Sequence, residues 1–312
     1  MSAIVWRRLV VALIVAVALT LLAVRSGALQ AVLDALTGHN IRVQGAPVAA
    51  AHATLSEHER EHIQSLPPQQ QAEELMQASV NHDVGATEMV MEKLPGWHAH
   101  LQRTPRWDSL ELTARYSNDL RVRAAAIEID LLVMSLDKEP TSADRLIESA
   151  EGVPANRPSA AYYLGMLANR GVEADRIHDL LKKWTHEPDE QTRFWAVEGL
   201  AFFGTDDTIG DFLDVLRNDP SLNVRERAGC SLAKSGMLTR EQRLKAVPGL
   251  IEIGDDPAMD ATTRNWAFQA LREITGEGIT NDPSAWRNWL SSHGSERAEE
   301  FRREQNRLLG NS

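Results

Sequence analysis

The chain has 312 residues, of which 43% are hydrophobic, enough apolar material for a sizeable core. Its formal net charge is −11. Three of the 33 basic residues precede position 26, which leaves 30 against 44 acidic residues in the remainder. A surface this acidic repels phosphate backbones, so the composition argues against nucleic-acid binding. A single cysteine, Cys230, excludes an internal disulfide and a multi-cysteine metal site, and we expect it to be a small apolar filler.

The first predicted element is an uncharged apolar run from Leu9 to Val24, with two arginines before it and one after it. Its length lies between the roughly 17–25 residues of a membrane-spanning helix and the roughly 7–15 residues of a signal-peptide core. Apolar flanking residues can lengthen the span, so we expect a membrane anchor within residues 1–36. A signal peptide cleaved near Ser26–Ala28 is the alternative.

The arginines around this run also predict an orientation. The two before it outnumber the one after it, which favours the non-cytoplasmic side for the rest of the chain. We therefore expect a single-pass protein of the cell inner membrane with its main part in the periplasm. If the segment is cleaved, the protein would be periplasmic.

A linker and a helical region are predicted next. Residues 37–56 are rich in Gly, Pro, Ala, Asn and His and lack periodicity, which is typical of a linker. Residues 57–107 are helical in pattern: a proline pair at 67–68 opens one helix, and a second is expected from Ala86 to Lys93, with a break at Pro95-Gly96-Trp97. We expect this region to cap the first edge of the repeats that follow.

Internal repetition dominates residues 108–280. Five segments have alanine three positions after an arginine, and four have leucine seven positions after it; the first has Asp130 there instead. These two positions lie one above the other on a helix face, so the small residue admits a neighbouring helix and the leucine fills the space behind it. The arginines, spaced by 34, 36, 32 and 39 residues, are Arg123, Arg157, Arg193, Arg225 and Arg264.

A shorter amphipathic helix is predicted before each of these segments. Two-helix units of about 35 residues that stack in tandem form a solenoid, in which each unit buries its apolar face against its neighbours. Aspartates four positions before three of the arginines are expected to cap the helices and to meet those arginines one turn later. The predicted first helices are Leu110–Tyr116, Ala143–Ala150, Asp175–Trp184, Ile209–Leu216 and Leu244–Ile253; the aspartates are Asp119, Asp189 and Asp260; glycines expected to end helices are Gly204, Gly236 and Gly276.

The pattern Asp-x-x-x-Arg-x-x-Ala-x-x-x-Leu resembles HEAT repeats in their short bacterial form. The segment Leu271–Leu290 is also similar to the closing element of many bacterial HEAT-repeat proteins, through an Ile-Thr-Gly turn followed by Asp282, Trp286 and Trp289. The resemblance implies an all-α fold, an α-α superhelix, whose surface binds other proteins and carries no reaction. We expect the two tryptophans to plug the last repeat.

The end of the chain, residues 281–312, is predicted to form C-terminal capping helices. The last of them, Ser295–Leu309, is highly charged, with oppositely charged side chains four residues apart. It is expected to be either a polar cap or a frayed tail.

Four aromatic residues of the repeat helices lie away from the alanine and leucine positions. Exposed aromatic side chains near the centre of a surface are frequent hot spots of protein interfaces. We therefore take them as candidate protein-binding residues, with packing between adjacent repeats as the alternative. They are Tyr163, Trp195, Phe202 and Trp266.

The most specific candidate for a catalytic motif is His58-Glu59-x-x-His62. Two histidines four apart on a helix can share a zinc ion while the glutamate activates water. The polar surroundings argue against a buried site, and a third ligand from Glu73 or Glu74 would have to come from beyond the proline pair. A zinc metallohydrolase is therefore the alternative function. Our main expectation is a non-enzymatic, membrane-tethered scaffold for a protein partner, without cofactor or metal, or an assembly factor for a membrane complex.

Overall fold

A computed structural model of the chain describes residues 53–308, and this part is almost entirely helical. Its one pairing of extended backbone within that range is a parallel bridge between Thr54 and Val84. The prediction of an all-α fold is therefore confirmed for the described residues. The predicted membrane segment Leu9–Val24 lies outside them, and none of the helices between residues 53 and 308 is long and apolar enough to cross a membrane.

Three helices precede the repeats: α1 (Glu57–Ser65), α2 (Pro68–Val80) and α3 (Ala86–Trp97). The proline that opens α2 occupies its first turn, where a missing N–H costs nothing. The predicted helix Ala86–Lys93 is too short, because α3 continues through Pro95 and ends at Trp97, the last residue of the predicted break. Trp97 at its end is 1% exposed and donates its indole N–H to Gln71 at 3.0 Å, which holds the last turn of α3 in place.

Five helix pairs follow, and the second helix of each pair carries the repeat arginine. Short 3₁₀ turns lead into α7 and α13. The pairs are α4 (Pro105–Arg115) with α5 (Leu120–Val133), α6 (Pro140–Gly152) with α7 (Arg157–Asn169), α8 (Ala174–Trp184) with α9 (Glu190–Phe203), α10 (Asp207–Asn218) with α11 (Leu222–Ala233), and, after the short α12 (Arg240–Arg243), α13 (Val247–Asp255) with α14 (Ala261–Thr275); the 3₁₀ turns are Pro154–Asn156 and Leu244–Ala246.

The three predicted aspartate caps are confirmed. The carboxylates of Asp119, Asp189 and Asp260 accept hydrogen bonds from backbone N–H groups in the first turns of α5, α9 and α14, at 2.8, 2.7 and 2.9 Å. Each cap satisfies a donor that the helix itself leaves free. Gly204 and Gly276 end α9 and α14 in the left-handed conformation, at φ of 69° and 78°.

The second helices of successive pairs pack against each other, with α7 on α9, α9 on α11 and α11 on α14. The alanines at the repeated position are all buried in these contacts. The closest approach is between α7 and α9. A β carbon added at Gly165 would lie 2.1 Å from the carbonyl oxygen of Gly199, so the two backbones touch. Small residues at this crossing therefore decide how tightly the second and third repeats stack.

The buried apolar residues form two clusters that share α5. The first cluster comprises α1 to α5 and contains the fully buried Trp97 and Trp107. The second extends from α5 to the last helix. Ile129 of α5 belongs to the first cluster and Ile127 to the second, so this helix joins the N-terminal helices to the repeat stack.

A single helix, α15 (Pro283–Leu308), closes the described part. The expectation of a separate last helix at Ser295 is wrong, because no residue in this stretch stops the helix begun at Pro283. Trp286 and Trp289 are buried at 0% and 8% exposure in the second cluster, as expected for a plug. The buried Phe301 extends this contact along the charged half of α15, with the guanidinium of Arg240 over its ring.

Candidate protein-binding site

The structure separates the four candidate binding residues into two pairs. Tyr163 and Phe202 are only 4% and 6% exposed, so their expected place on a binding surface is wrong and the alternative, packing between repeats, holds for both. Trp195 on α9 and Trp266 on α14 are half-buried, and part of each side chain remains accessible. A role of these two tryptophans in binding stays a prediction.

Trp195 rests on an aromatic cluster centred on Tyr162, a residue that the sequence analysis did not single out. The ring centre of Tyr162 lies 5.7 Å from that of Trp195, 5.2 Å from that of Tyr163 and 5.1 Å from that of Phe202, and all three contacts are edge-to-face. Such contacts contribute about 0.5–1.5 kcal/mol each beyond burial. The cluster therefore holds the accessible tryptophan in one orientation before any partner arrives.

A buried polar network anchors Tyr162 to the first repeat. Its hydroxyl donates to Glu111 at 2.6 Å and accepts from Arg115 at 2.7 Å, and the same arginine pairs with Glu111 at 2.7 Å. Burial raises the pKa of Tyr162, and the neighbouring carboxylate raises it further, so the hydroxyl remains a donor. The second repeat is thus tied to α4 through charge-assisted hydrogen bonds.

Asp130, which replaces the repeat leucine in the first segment, lies beside this network. It is 1% exposed and accepts a hydrogen bond from the indole N–H of Trp107 at 2.9 Å. Burial raises the pKa of Asp130 to about 6, although the Trp107 hydrogen bond opposes the shift. The charges around it are Glu111, which raises the pKa further, and Arg103 and Arg115, which lower it.

The repeat arginines form a ladder that runs forward along the stack. Arg193 pairs with Asp219 at 2.8 Å, and Arg225 pairs with Asp260 at 2.8 Å. Each of these aspartates lies in the turn between the two helices of the following repeat, and Arg157 contacts the equivalent turn through Glu187 at 2.9 Å. The expectation that each arginine meets the aspartate of its own helix is therefore wrong: Asp260, which caps α14, pairs with Arg225 of the preceding repeat and not with Arg264 of its own helix.

Arg123 departs from the ladder. It is 6% exposed and donates to three backbone carbonyls, one of its own turn at Ser117 and two after α11, at Lys234 and Gly236. The same segment receives the buried Arg243, which donates to three further carbonyls. Burial lowers the pKa of Arg123 to about 10 and that of Arg243 to about 9, and the positive charge of a neighbouring arginine lowers each of them further.

Trp266 lies beside a shallow groove between α11 and α14. Small residues, among them Gly229 and Ala233, line the groove, which also contains Cys230. Burial raises the pKa of the Cys230 thiol, which favours the unreactive protonated form and is consistent with the expected filler role. Glu226, Gln269 and Glu273 complete the lining, so the surface beside the tryptophan ring is partly charged.

The zinc motif does not assemble into a metal site. Glu59, the expected general base, accepts hydrogen bonds from the backbone and side chain of Ser56 at 2.8 and 2.6 Å, so its carboxylate caps α1. Glu73 is hydrogen-bonded to Thr104 at 2.5 Å, and Glu74 to Arg106. Among residues 53–308, no group of three His, Cys, Asp or Glu side chains is placed to hold a metal ion.

Residues 177–272, from α8 to α14, match the family model for HEAT repeats. The chain is similar to HEAT repeats over this stretch. No curated protein matches the chain. The match agrees with the resemblance carried by the arginine, alanine and leucine positions. Repeats of this kind generally mediate protein–protein interaction, and the solenoids that they build present extended binding surfaces and are typically non-catalytic.

Proposed function

We propose that this protein is a membrane-tethered HEAT-repeat scaffold that binds a protein partner on its stacked helices. The observation that carries the binding role is the pair Trp195 and Trp266, two large aromatic side chains that remain partly accessible on the second helices of the stack. Tryptophan is enriched among interface hot spots because it combines a large apolar area with one hydrogen-bond donor.

The tether belongs to the proposal as well. Its support is the uncharged run Leu9–Val24 and the arginine excess before it. In this arrangement the repeats lie on the periplasmic side of the inner membrane, and the protein assembles or stabilises a membrane-associated complex there.

The binding role is tested by affinity purification of the full chain from a detergent extract of the cells that make it. We expect a partner that stays bound to the wild-type chain, and an affinity at least tenfold lower for Trp195→Ala combined with Trp266→Ala. Tyr116→Ala is the matched control, because Tyr116 is an aromatic residue that is 54% exposed directly after the first helix of the first repeat. Equal retention by the double variant, with an unchanged melting temperature, would show that the two tryptophans do not bind the partner.

The tether is tested by alkaline extraction of membranes. The wild-type chain should stay with the bilayer, whereas Val15→Arg with Leu19→Arg should release it, because a central arginine costs about 2.5–3.5 kcal/mol of insertion free energy. Ser2→Arg, outside the apolar run, is the control. Recovery of the wild-type chain in the soluble fraction would contradict an uncleaved anchor and leave the binding role untouched.

A further inference from the structure

Three repeat arginines bind an acidic residue of the following repeat. We call the side of each repeat that carries this arginine and contacts the following repeat its forward edge. Arg157, Arg193 and Arg225, in three successive repeats, each take a carboxylate from the turn that precedes the second helix of the following repeat. The contact recurs although the spacing between arginine and acid varies. A guanidinium at this position therefore marks the forward edge of a repeat and selects a carboxylate there.

Arg264 occupies the same position in the fifth repeat, three residues before Ala267 and seven before Leu271. It makes no ion pair and no side-chain hydrogen bond within residues 53–308. Its Nε is shielded from solvent but has no acceptor. The Nε of Arg157 is also without an acceptor, but a terminal nitrogen of Arg157 holds Glu187. Arg264 is thus the one repeat arginine in the described part whose guanidinium has no bonded partner.

The next helix of the chain does not supply the missing carboxylate. α15 packs against α12 and α13. Two of its arginines pair on that side, with Arg287 bound to Asp255 and Arg302 bound to Glu241, while Arg297 takes Glu277, the acid that follows α14. Asp282, in the turn before α15, caps that helix through the backbone N–H of Ser284 at 2.9 Å. No acid from the described residues after α14 therefore reaches the forward edge of the fifth repeat.

A second cation lies on α14. Arg272 donates to the side chain of Asn281 at 2.8 Å, and Asn281 in turn donates to Asn265 at 3.0 Å, next to Arg264. Arg272 makes no ion pair among the described residues. α14 thus has two arginines, Arg264 and Arg272, that lack a carboxylate among the described residues. This charge pattern is complementary to an acidic partner surface.

We propose that the C-terminal end of the repeat stack, formed by α14, docks an acidic turn of a partner protein, and that Arg264 takes an aspartate or glutamate from that turn as Arg193 takes Asp219. The proposal rests on the scaffold function and specifies its partner chemistry. The partner element is a turn that carries a carboxylate immediately before a helix. The contact between Arg264 and this carboxylate would extend the series of arginine–carboxylate pairs beyond the fifth repeat.

The direct test is zero-length cross-linking of the full chain bearing Arg264→Lys in a detergent extract, with a water-soluble carbodiimide as the probe. The reagent activates a carboxylate, the introduced amine displaces it to form an amide bond, and the carbodiimide leaves as a urea that has taken up the lost water. We expect an amide between position 264 and an aspartate or glutamate of a different protein, identified by mass spectrometry.

Two matched variants control this experiment. Arg225→Lys should link to Asp260 of the same chain, since that pair is 2.8 Å apart, and so reports that the chemistry works. Arg145→Lys should give no intermolecular link, because Arg145 is exposed on α6, away from the forward edge. With the Arg225→Lys link present, the absence of a link at position 264 would overturn the proposal. A link from position 264 only to this chain or to a second copy of it would do the same.

The second part of the test measures the affinity of Arg264 variants for the cross-linked partner. Arg264→Ala should weaken retention of the cross-linked partner at least tenfold, and Arg264→Glu should weaken it more, because a carboxylate then faces a carboxylate. The melting temperature should not change, since Arg264 makes no bond within the described residues. Replacement of the linked acid of the partner by arginine should restore binding to Arg264→Glu. If the wild-type chain holds a partner that Arg264→Glu holds equally well, this proposal fails and the scaffold function stands; if the wild-type chain holds none, both fail.

Discussion

The repeats from α8 to α14 and the first repeat, α4 with α5, use the same arginine position in different ways. In the later repeats Arg193 and Arg225 are held by aspartates of the following repeat. In the first repeat Arg123 is held by backbone carbonyls, two of which lie after α11. A carboxylate neutralises the buried charge, whereas carbonyls satisfy only its N–H groups, so the later contact is the more stabilising of the two.

The two regions also differ in the residue seven positions after the repeat arginine. The later repeats keep leucine there, whereas the first has the buried Asp130, which accepts a hydrogen bond from Trp107 and lies beside the network of Glu111 and Arg115. The family match begins at residue 177, after this region. The first repeat therefore departs from the pattern where α5 must join the N-terminal helices as well as the stack, and a polar network replaces part of the regular apolar contact.

The largest effect is expected from Arg193→Met in the later repeats. Asp219 is 5% exposed and would lose its counter-charge, so we expect a loss of about 3–5 kcal/mol in the free energy of unfolding, measured by chemical denaturation. Adding Asp219→Leu should recover part of this loss, because the uncompensated charge is then removed. An effect below about 1 kcal/mol would contradict the stabilising role of the ladder.

The buried Asp130 of the first repeat should make the free energy of unfolding depend on pH. Its pKa is about 6 in the folded chain and near 3.9 when unfolded. Between these values the folded state keeps the proton and the unfolded state has lost it, so stability falls as the pH rises from about 4 to about 6, by roughly 3 kcal/mol. Asp130→Asn should remove this part of the pH dependence in denaturation series. Trp107→Phe should extend the loss of stability to higher pH, because the hydrogen bond that it removes favours the charged form of Asp130. The same dependence of stability on pH in the wild type and both variants would refute the assignment to Asp130.

The junction between the two regions is tested by Gly165→Ala. The added methyl group collides with the backbone at Gly199, so we expect a loss of about 1–3 kcal/mol in thermal or chemical unfolding. Gly210→Ala is the matched control, because Gly210 lies within α10 with nothing within 4 Å of the added carbon. It should gain up to about 1 kcal/mol. Equal responses of the two variants would mean that the close crossing of α7 and α9 does not limit packing.

The smallest effect is expected from Arg123→Met, in direct comparison with Arg193→Met. The substitution removes hydrogen bonds to three carbonyls but also relieves the burial of a charge without a counter-ion, so we expect a net loss of about 1–2 kcal/mol. Denaturation of the two variants side by side measures the difference. A loss for Arg123→Met equal to that for Arg193→Met would remove the distinction between the two regions.

Local features of the fold could be predicted because their partners lie within one or two turns. The caps Asp119, Asp189 and Asp260 bind the helix that they precede, and Gly204 and Gly276 end helices through their own backbone conformation. The partner of the repeat arginine was predicted wrongly, because this partner does not lie within one or two turns. Asp260 both caps its helix and binds an arginine, but that arginine belongs to the preceding repeat; the guanidiniums of Arg193 and Arg225 each reach an acid in the next repeat, at a distance that no local pattern encodes.

The candidate site could be predicted only in part. Aromatic residues on the second helices were found from their spacing, but spacing does not say which helix covers them. Tyr163 and Phe202 became interior because Tyr162, held by Glu111 and Arg115 of α4, packs against both rings. The importance of Tyr162 depends on contacts with residues about fifty positions earlier in the chain, beyond the reach of any helical period.

By itself the sequence determined that the chain is all-α within the described part, that its helices come in pairs, and where most of them begin. These properties follow from periodicity, capping and small-residue positions, which act over a few residues. Only the tertiary structure decided which aromatic rings stay accessible, that Arg123 contacts the segment after α11, and that Arg264 has no carboxylate partner among residues 53–308. Those outcomes depend on how the repeats stack, because the free energy of a buried charge or ring is set by the neighbours that the stack brings to it.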